Sequence, residues 1–182
     1  MLNRLPLLKQ YLILQAMCIL FKKYHRRTPF RTFEGWPELF QVLALDRNTA
    51  GSADLALDKA KVLTAASELV LLALWASPQN VQSFHASKGL GVLGTVMHCI
   101  SRNSSSHAVP ILVNVLRVLT KLLTDASTID EVAQSPLFLR DLLCCFNVQF
   151  NLSITKLAIA CLNTIADDPR IQERYVGVVT SM

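Results

Sequence analysis

The residues that could perform nucleophilic or metal chemistry are four histidines and five cysteines scattered along the chain. They are His25, His85, His98 and His107, and Cys18, Cys99, Cys144, Cys145 and Cys161. No two histidines are spaced for one helical face, and HExxH is absent. The neighbouring Cys144 and Cys145 would point about 100° apart on a helix and could not share a metal ion. The sequence therefore predicts no metal site and no bound cofactor.

Catalysis by a serine or cysteine nucleophile would require that residue on a strained turn, beside a general base and an oxyanion donor. Neither a G-x-S-x-G motif nor a cysteine-protease signature occurs. We expect His85 on a short exposed turn and His98 near the polar end of a helix. The sequence thus predicts no catalytic residue, and we expect the protein not to be an enzyme.

A glycine-rich run, Gly89-Leu90-Gly91-Val92-Leu93-Gly94, superficially resembles a phosphate-binding loop. A true phosphate loop follows a strand and carries Lys-Ser/Thr, and both features are missing here. Close packing between helices explains these glycines better, with Gly89 also serving as a flexible joint between two helices.

The positive charge is concentrated at the start of the chain. Seven cations and no acidic residue precede Glu34, although the whole chain has a net charge of only +5. A cluster of four, Lys22, Lys23, Arg26 and Arg27, falls at the end of the first predicted helix, where cations complement the helix dipole. The functional alternative is a patch for an anionic membrane surface or an acidic partner. A nucleic-acid ligand is not expected, because the aromatic residues that follow resemble an apolar anchor.

The composition indicates a globular protein with little polar surface. Hydrophobic residues make up 52% and charged residues 17% of the chain, below the quarter that is typical of soluble domains. Such a surface calls for a neighbouring repeat or a partner protein as a cover. No apolar run reaches the roughly 20 residues of a membrane span. The scattered cysteines resemble small core residues and suit the reducing cytoplasm.

Apolar residues recur at helical spacing throughout, which predicts an all-α fold. The expected helices span residues 5–27, 36–46, 54–76, 79–86, 90–101, 108–125, 128–134, 137–147 and 152–166, with a further one from about 169. Three Ser-Pro or Asp-Pro pairs, at Ser77, Ser135 and Asp168, should separate consecutive helices. We expect the aromatic side chains of Trp75, Phe84, Phe138, Phe146 and Phe150 to lie in the core.

A weak internal repeat organises these helices. A long apolar helix, a polar cap, a short amphipathic helix and a second apolar helix recur, and aligning Val81, Ile129 and Ile171 gives separations of 48 and 42 residues. These values are close to those of armadillo and HEAT repeats. The sequence predicts one armadillo/HEAT-like helical repeat solenoid over residues 1–182, a fragment of a larger protein. In such a solenoid we assign the concave partner-binding face to the second helix of each unit, with Arg117, Lys121 and Lys156.

Short motifs in the first two thirds of the chain add a family resemblance. They are Leu14-Gln15-Ala16, Tyr24-His25, Pro29-Phe30, Asn80-Val81, Phe84 and Gly89-Leu90. Over residues 10–125 the chain resembles the large endosomal J-domain co-chaperones of the receptor-mediated-endocytosis family. The His-Pro-Asp triplet of the J domain and the family's tryptophan-bearing repeat signature are both absent. The resemblance therefore implies an armadillo-like segment outside the J domain.

The resemblance also implies a functional context. The full-length protein would work with an Hsp70-type chaperone and the endosomal sorting machinery, on the cytoplasmic side and at the periphery of endosomes. We expect this chain to be a non-catalytic scaffold for other proteins. The alternative is a membrane-associated or organellar helical protein anchored through its basic N-terminal helix.

Overall fold

The computed structural model describes residues 2–24, 32–45, 55–103, 105–147 and 151–172. All regular structure in these ranges is helical, so the all-α prediction is confirmed. The α-helices are α1 (Leu7–Tyr24), α2 (Trp36–Leu43), α3 (Leu57–Ala76), α4 (Pro78–Ala86), α5 (Gly89–Ile100), α6 (Ala108–Leu122), α7 (Ala126–Ala133), α8 (Pro136–Cys144) and α9 (Leu152–Ala166). Short 3-10 turns span Leu2–Arg4 and Cys145–Asn147.

The predicted helix ends differ from the observed ones by at most three residues wherever both fall in the described ranges. The predicted ends at 27 and 46 and the start at 54 lie outside the described residues. Helix α6 is shorter than predicted because Leu123 is its C-cap and Asp125 already caps α7. At the predicted last helix, the backbone is helical from residue 169 to 172, where the described part ends.

Two helices begin at the Ser-Pro pairs that the sequence singled out. The Oγ atom of Ser77 accepts a hydrogen bond from the Gln79 N–H at 3.1 Å, and that of Ser135 accepts one from the Phe138 N–H at 3.3 Å. The residue after each serine is a proline in the first turn of the helix. The hydroxyl satisfies a free backbone donor, and proline removes one that would have no partner.

The helices pack in two rows. Along the first row α1 contacts α3, α3 contacts α6, and α6 contacts α9; along the second, α2 contacts α5 and α5 contacts α8. The short helices α4 and α7 pack against α5 and α8 respectively. Each helix of the first row contributes a fully buried apolar side chain: Leu14, Leu63, Leu116 and Ile154. Each such side chain contributes about 1.5–3 kcal/mol. This arrangement is compatible with a helical repeat.

Hydrogen bonds link residues that are about one repeat apart. Four of them join positions 47 residues apart: Cys18 to Ala65, Phe33 to Asn80, Trp36 to Ser83, and Asn114 to Ser67. Others span 43 residues, from Thr128 to His85, and 40 residues, from Arg170 to Asp130. Polar contacts at similar sequence separations therefore add to the apolar packing between the helices.

The glycine-rich run begins α5 and two of its glycines make close packing possible. A Cβ atom at Gly89 would lie 2.5 Å from the Phe84 ring, and one at Gly94 would lie 3.0 Å from the Phe138 ring, whereas Gly91 has open space. Gly89 was predicted as a flexible joint between two helices, but it is already the first residue of α5, and the turn lies one residue earlier, at Lys88. Lys88 takes the left-handed conformation, with φ of 60°.

The predicted aromatic core is partly wrong. Phe84 and Phe138 are buried and Phe146 is half-buried, while Phe150 lies outside the described residues. Trp75 was expected inside, but 70% of its side chain is exposed. The reason is the direction of the α3 apolar stripe, which runs through Ala66, Leu69, Val70 and Ala73 and leaves position 75 on the opposite side.

Candidate protein-binding surface

The exposed indole of Trp75 is the most conspicuous side chain on the described surface. It lies in the last turn of α3, where the helix ends at the Ser77 cap. Residue 75 is seven positions after Glu68, two helical turns along the same face of α3. A charged residue at that spacing was the signal in the sequence that Trp75 faces solvent. Large aromatic side chains exposed in this way are typical anchors of protein interfaces.

Trp75 is the common wall of two grooves. One groove has a volume of about 780 Å³ and runs from α3 past α4 to the ends of α6 and α7. Its lining includes Leu74, Pro78, Val81, His85 and Lys121. The other groove, of about 360 Å³, lies between Trp75 and the end of α1, where Phe21 and Lys22 line it. A partner chain could therefore place apolar side chains on both faces of the ridge that the indole forms.

Lys121 was predicted as a partner contact, and the structure places it at this ridge. Its Nζ atom lies 5.9 Å from the centroid of the Trp75 ring. A cation at this distance is attracted by the ring electrons and holds the indole in place. The same ammonium group gives the larger groove a cationic edge.

The other two predicted concave-face residues are elsewhere on the same row of helices. Arg117 is exposed on α6, one turn before Lys121, and Lys156 is exposed on α9. Since α6 packs directly on α9, all three cations belong to neighbouring helices. Their role in binding stays a prediction.

The structure describes only two of the four residues of the predicted basic cluster. Lys22 and Lys23 are in the last turn of α1, and Arg26 and Arg27 lie outside the described residues. The Lys22 Nζ atom is 2.6 Å from Glu68 Oε1 on α3, and this hydrogen bond raises the pKa of Lys22. Lys22 therefore joins two helices of the protein. Lys23 lies over the ring of Tyr24, 5.3 Å from its centroid. A role of the cluster at an anionic surface stays a prediction.

The acidic residue that lines the larger groove, Asp125, has a structural role. The Asp125 carboxylate caps α7 by accepting hydrogen bonds from the Thr128 N–H and from the hydroxyl group of Ser127. The Ser127 hydroxyl is the main reason that the pKa of Asp125 is lowered. His85 lies on α4 and is half-buried, and its Nε2 atom is 3.2 Å from the Thr128 hydroxyl oxygen. The prediction that His85 lies on an exposed turn was therefore wrong.

A buried polar cluster connects α5 and α8, and the sequence did not reveal it. Asp141 is 3% exposed, and its Oδ1 atom accepts a hydrogen bond from Arg102 Nη1 at 2.7 Å. The Nδ1 atom of His98 lies 3.1 Å from Asp141 Oδ2, and Arg102 also donates to the His98 carbonyl oxygen. An aspartate that orients a catalytic histidine is familiar from hydrolases. Here the guanidinium group shares the carboxylate, so the geometry is that of a clamp between two helices. The prediction that His98 lies near the end of a helix is confirmed.

Three of the cysteine thiols, those of Cys18, Cys145 and Cys161, are poor nucleophiles in this fold. Cys18, Cys99, Cys145 and Cys161 are buried, Cys144 is half-buried, and none of the five forms a disulfide within the described residues. Burial raises the pKa of Cys18 and of Cys145 to about 12 each, and it also raises that of Cys161. Their thiolate fractions at neutral pH are therefore far below those of catalytic cysteines. Among the described residues no three potential ligand side chains come together as a metal site.

Comparison with known proteins adds one relative. No family model matches the chain, and no solved structure matches it. The chain is similar to a DnaJ homologue. This is the DnaJ homolog subfamily C protein GRV2 of Arabidopsis thaliana, which is 27% identical over 168 residues, or 88% of this chain. The chain spans only 6% of the length of that relative.

The relative agrees with the DnaJ part of the resemblance seen in the sequence. Its name describes a co-chaperone type of protein and no classical catalytic enzyme. Endosomal specialisation and the partners of the full-length protein stay predictions. In the described part of the chain, no helix is both long and apolar enough to cross a bilayer.

Proposed function

We propose that this chain is a non-catalytic protein-interaction scaffold whose helical units stack as an armadillo/HEAT-like solenoid. The observation that carries the binding role is the Trp75 side chain, 70% exposed between two grooves and held by Lys121. Support for the solenoid comes from the successive contacts along both rows and from the polar contacts that recur after 47 residues. Stacked repeats of this kind bind other proteins along extended surfaces.

The partner segment that suits this surface is an extended peptide with an apolar side chain beside a carboxylate. The apolar side chain would pack on the Trp75 indole and against Val81 of the larger groove. The carboxylate would meet the Lys121 ammonium group, because the acid nearest to it in the groove, Asp125, is already engaged by Ser127 and Thr128. Burial of the indole would supply most of the binding free energy, as aromatic anchors do at interfaces.

For the full-length protein, we propose work beside an Hsp70-type chaperone and the endosomal sorting machinery, in the cytoplasm and at the periphery of endosomes. This context rests on the resemblance in the sequence and on the similarity to a DnaJ homologue. The chaperone contact would belong to a J domain elsewhere in that protein, since this chain has no His-Pro-Asp triplet.

Proximity labelling in cells tests the proposal. A biotin-ligase fusion of the whole chain is compared with Trp75→Ala, with Lys121→Glu, and with Arg140→Ala, an exposed residue of α8 far from the grooves in sequence. We expect endosomal sorting proteins or an Hsp70-type chaperone among the labelled proteins, with the Trp75 and Lys121 variants losing the same subset and the Arg140 variant keeping it. Equal labelling by all four forms would contradict the binding surface. A labelled set without any trafficking or chaperone protein would contradict the cellular context.

A further inference from the structure

The outward face of α1, the side turned away from α3, carries the densest group of exposed apolar side chains in the described structure. We define this face by five apolar residues, Leu8, Leu12, Ile13, Ile19 and Leu20, and two cations, Lys9 and Lys23. Leu8, Leu12 and Ile19 are 68%, 56% and 61% exposed. From residue 8 to residue 20 the face is about 18 Å long, since each helical residue rises about 1.5 Å. Contiguous apolar surface of this kind marks an interaction site.

We infer that this face packs against an amphipathic helix of a partner protein, and that the helix carries one carboxylate that meets Lys9 and another that meets Lys23. This inference rests on the proposed scaffold function and names the partner for a second surface of the same chain. The argument uses the way α1 already packs inside the protein.

The buried side of α1 shows how a helix is held there. Leu14, Cys18 and Phe21 are buried against α3, and at the edge of this contact Lys22 meets Glu68 at 2.6 Å. On this side, α1 is thus held against α3 by an apolar stripe and by an ammonium–carboxylate contact beside it. The outward face has the same ingredients, apolar residues with Lys9 near one end and Lys23 at the other.

Helix α3 shows how one helix of this protein packs against two neighbouring helices. It contacts both α1 and α6 through one broad face that includes the buried residues Val62, Leu63 and Val70, whereas Leu57 and Trp75 on the opposite side are exposed. A broad apolar face of this kind allows one helix to pack against two neighbours. Helix α1 likewise has apolar residues on two sides, and among the residues that the structure describes only one of these sides is covered.

The positive charge of α1 indicates which kind of partner helix would bind to it. No acidic residue precedes Glu34 in the sequence, so nothing on α1 itself neutralises Lys9 or Lys23. The α1 helix of a second copy would bring like charges together, which is unfavourable. On a bilayer, both ammonium groups would lie on the apolar face itself, where desolvation is costly. A partner helix can instead meet each ammonium group with a carboxylate, as Glu68 meets Lys22.

Two synthetic peptides of 20 residues provide the probes. Both form amphipathic helices with the same leucine face, and they differ only in having glutamates or lysines near the two ends of that face, where Lys9 and Lys23 would meet them. Binding to the whole chain is measured by fluorescence anisotropy, and vesicles of phosphatidylcholine with phosphatidylserine are tested in parallel by flotation. The variants are Lys9→Glu/Lys23→Glu, with Arg140→Glu/Lys88→Glu as a control that reverses two exposed cations away from α1. Circular dichroism checks that each variant keeps its helix content.

We expect the glutamate peptide to bind the native chain on the order of tenfold more tightly than the lysine peptide, a difference of about 1.4 kcal/mol. Lys9→Glu/Lys23→Glu should reverse this preference, and the control pair should leave it unchanged. Equal binding of both peptides, or vesicle flotation that depends on Lys9 and Lys23 without any peptide binding, would overturn the inference. Because Trp75→Ala leaves α1 intact, it should not change peptide binding. Loss of the peptide result alone would therefore leave the Trp75 surface standing.

Discussion

The guanidinium group of Arg102 and the carboxylate of Asp141 lie 2.7 Å apart at the junction of α5 and α8, and the carboxylate is almost completely buried. They are 39 residues apart in sequence, and their contact joins two successive helices of the second row. His98 approaches the same carboxylate at 3.1 Å. The packing of α5 against α8 therefore depends on one buried charge, and its removal should weaken the contact between these two helices.

Replacing Asp141 by alanine should destabilise the protein by about 3–5 kcal/mol, because Arg102 would remain near the interior without its counter-ion. Urea unfolding followed by circular dichroism measures this change. Asp58→Ala is the matched control, since its ion pair with Lys61 is exposed and should contribute about 0–1 kcal/mol. Similar losses in the two variants would show that the buried cluster does not act as a clamp.

The two tryptophans of the chain should respond in opposite ways. Trp36 is 2% exposed, donates from Nε1 to Ser83 Oγ at 2.8 Å and packs edge-to-face on Phe84. Trp36→Ala should therefore cost about 3–5 kcal/mol of stability. Trp75→Ala should cost about 0.5 kcal/mol or less, as expected at a surface position.

Acrylamide quenching of each single-tryptophan variant gives an independent measurement. The fluorescence of Trp75 in Trp36→Phe should be strongly quenched, and that of Trp36 in Trp75→Phe should be protected. Protection of Trp75 in the isolated chain would mean that the indole is covered, contrary to the surface described above.

The glycines of α5 provide a test of packing within one helix. Gly89→Ala brings a Cβ atom to 2.5 Å from the Phe84 ring, so we expect a loss of about 1–3 kcal/mol from overpacking. Gly91→Ala meets nothing within 4 Å and should stabilise the protein by about 0.4–1 kcal/mol, because alanine restricts the unfolded chain. Thermal unfolding of the two variants should move in opposite directions. A stabilising Gly89→Ala substitution would be incompatible with the close contact to Phe84.

Alkaline pH should weaken the fold through its buried thiols. The pKa of Cys18 and that of Cys145 rise from the ordinary 9.0 to about 12 on folding. The folded protein therefore holds these protons more tightly than the unfolded chain, so their contribution is complete below pH 9 and is lost as the pH rises towards 12. Between these values each thiol should lower the free energy of unfolding by about 1.4 kcal/mol per pH unit.

Urea unfolding at a series of pH values, in the native chain and in Cys18→Ala, checks this effect. The alanine variant should lose stability less steeply above pH 9, because one of the thiols no longer titrates. Val62→Ala, which removes buried volume from α3 without removing a titrating group, should lower stability at every pH and leave the slope unchanged. An unchanged slope in Cys18→Ala would contradict the raised pKa.

The sequence by itself determined the helices, because helix formation follows local rules. Apolar periodicity located every helix of the described part, and the Ser-Pro pairs at 77 and 135 marked two starts through contacts that reach only two or three residues along the chain. The spacing of the internal sequence repeat could also be predicted, since the same apolar pattern recurs after 42 to 48 residues.

Only the tertiary structure decided which side chains meet between units and which stay outside. Trp75 follows an apolar run and looks like a core residue, yet it lies opposite the apolar stripe of α3 and is exposed. Lys121 meets its ring, and Arg102 meets Asp141, across 46 and 39 residues. Such distant pairs depend on how helices are stacked and rotated, which no local pattern encodes. The contact between Lys121 and Trp75, on which the proposed binding surface depends, could for this reason not be predicted from the sequence.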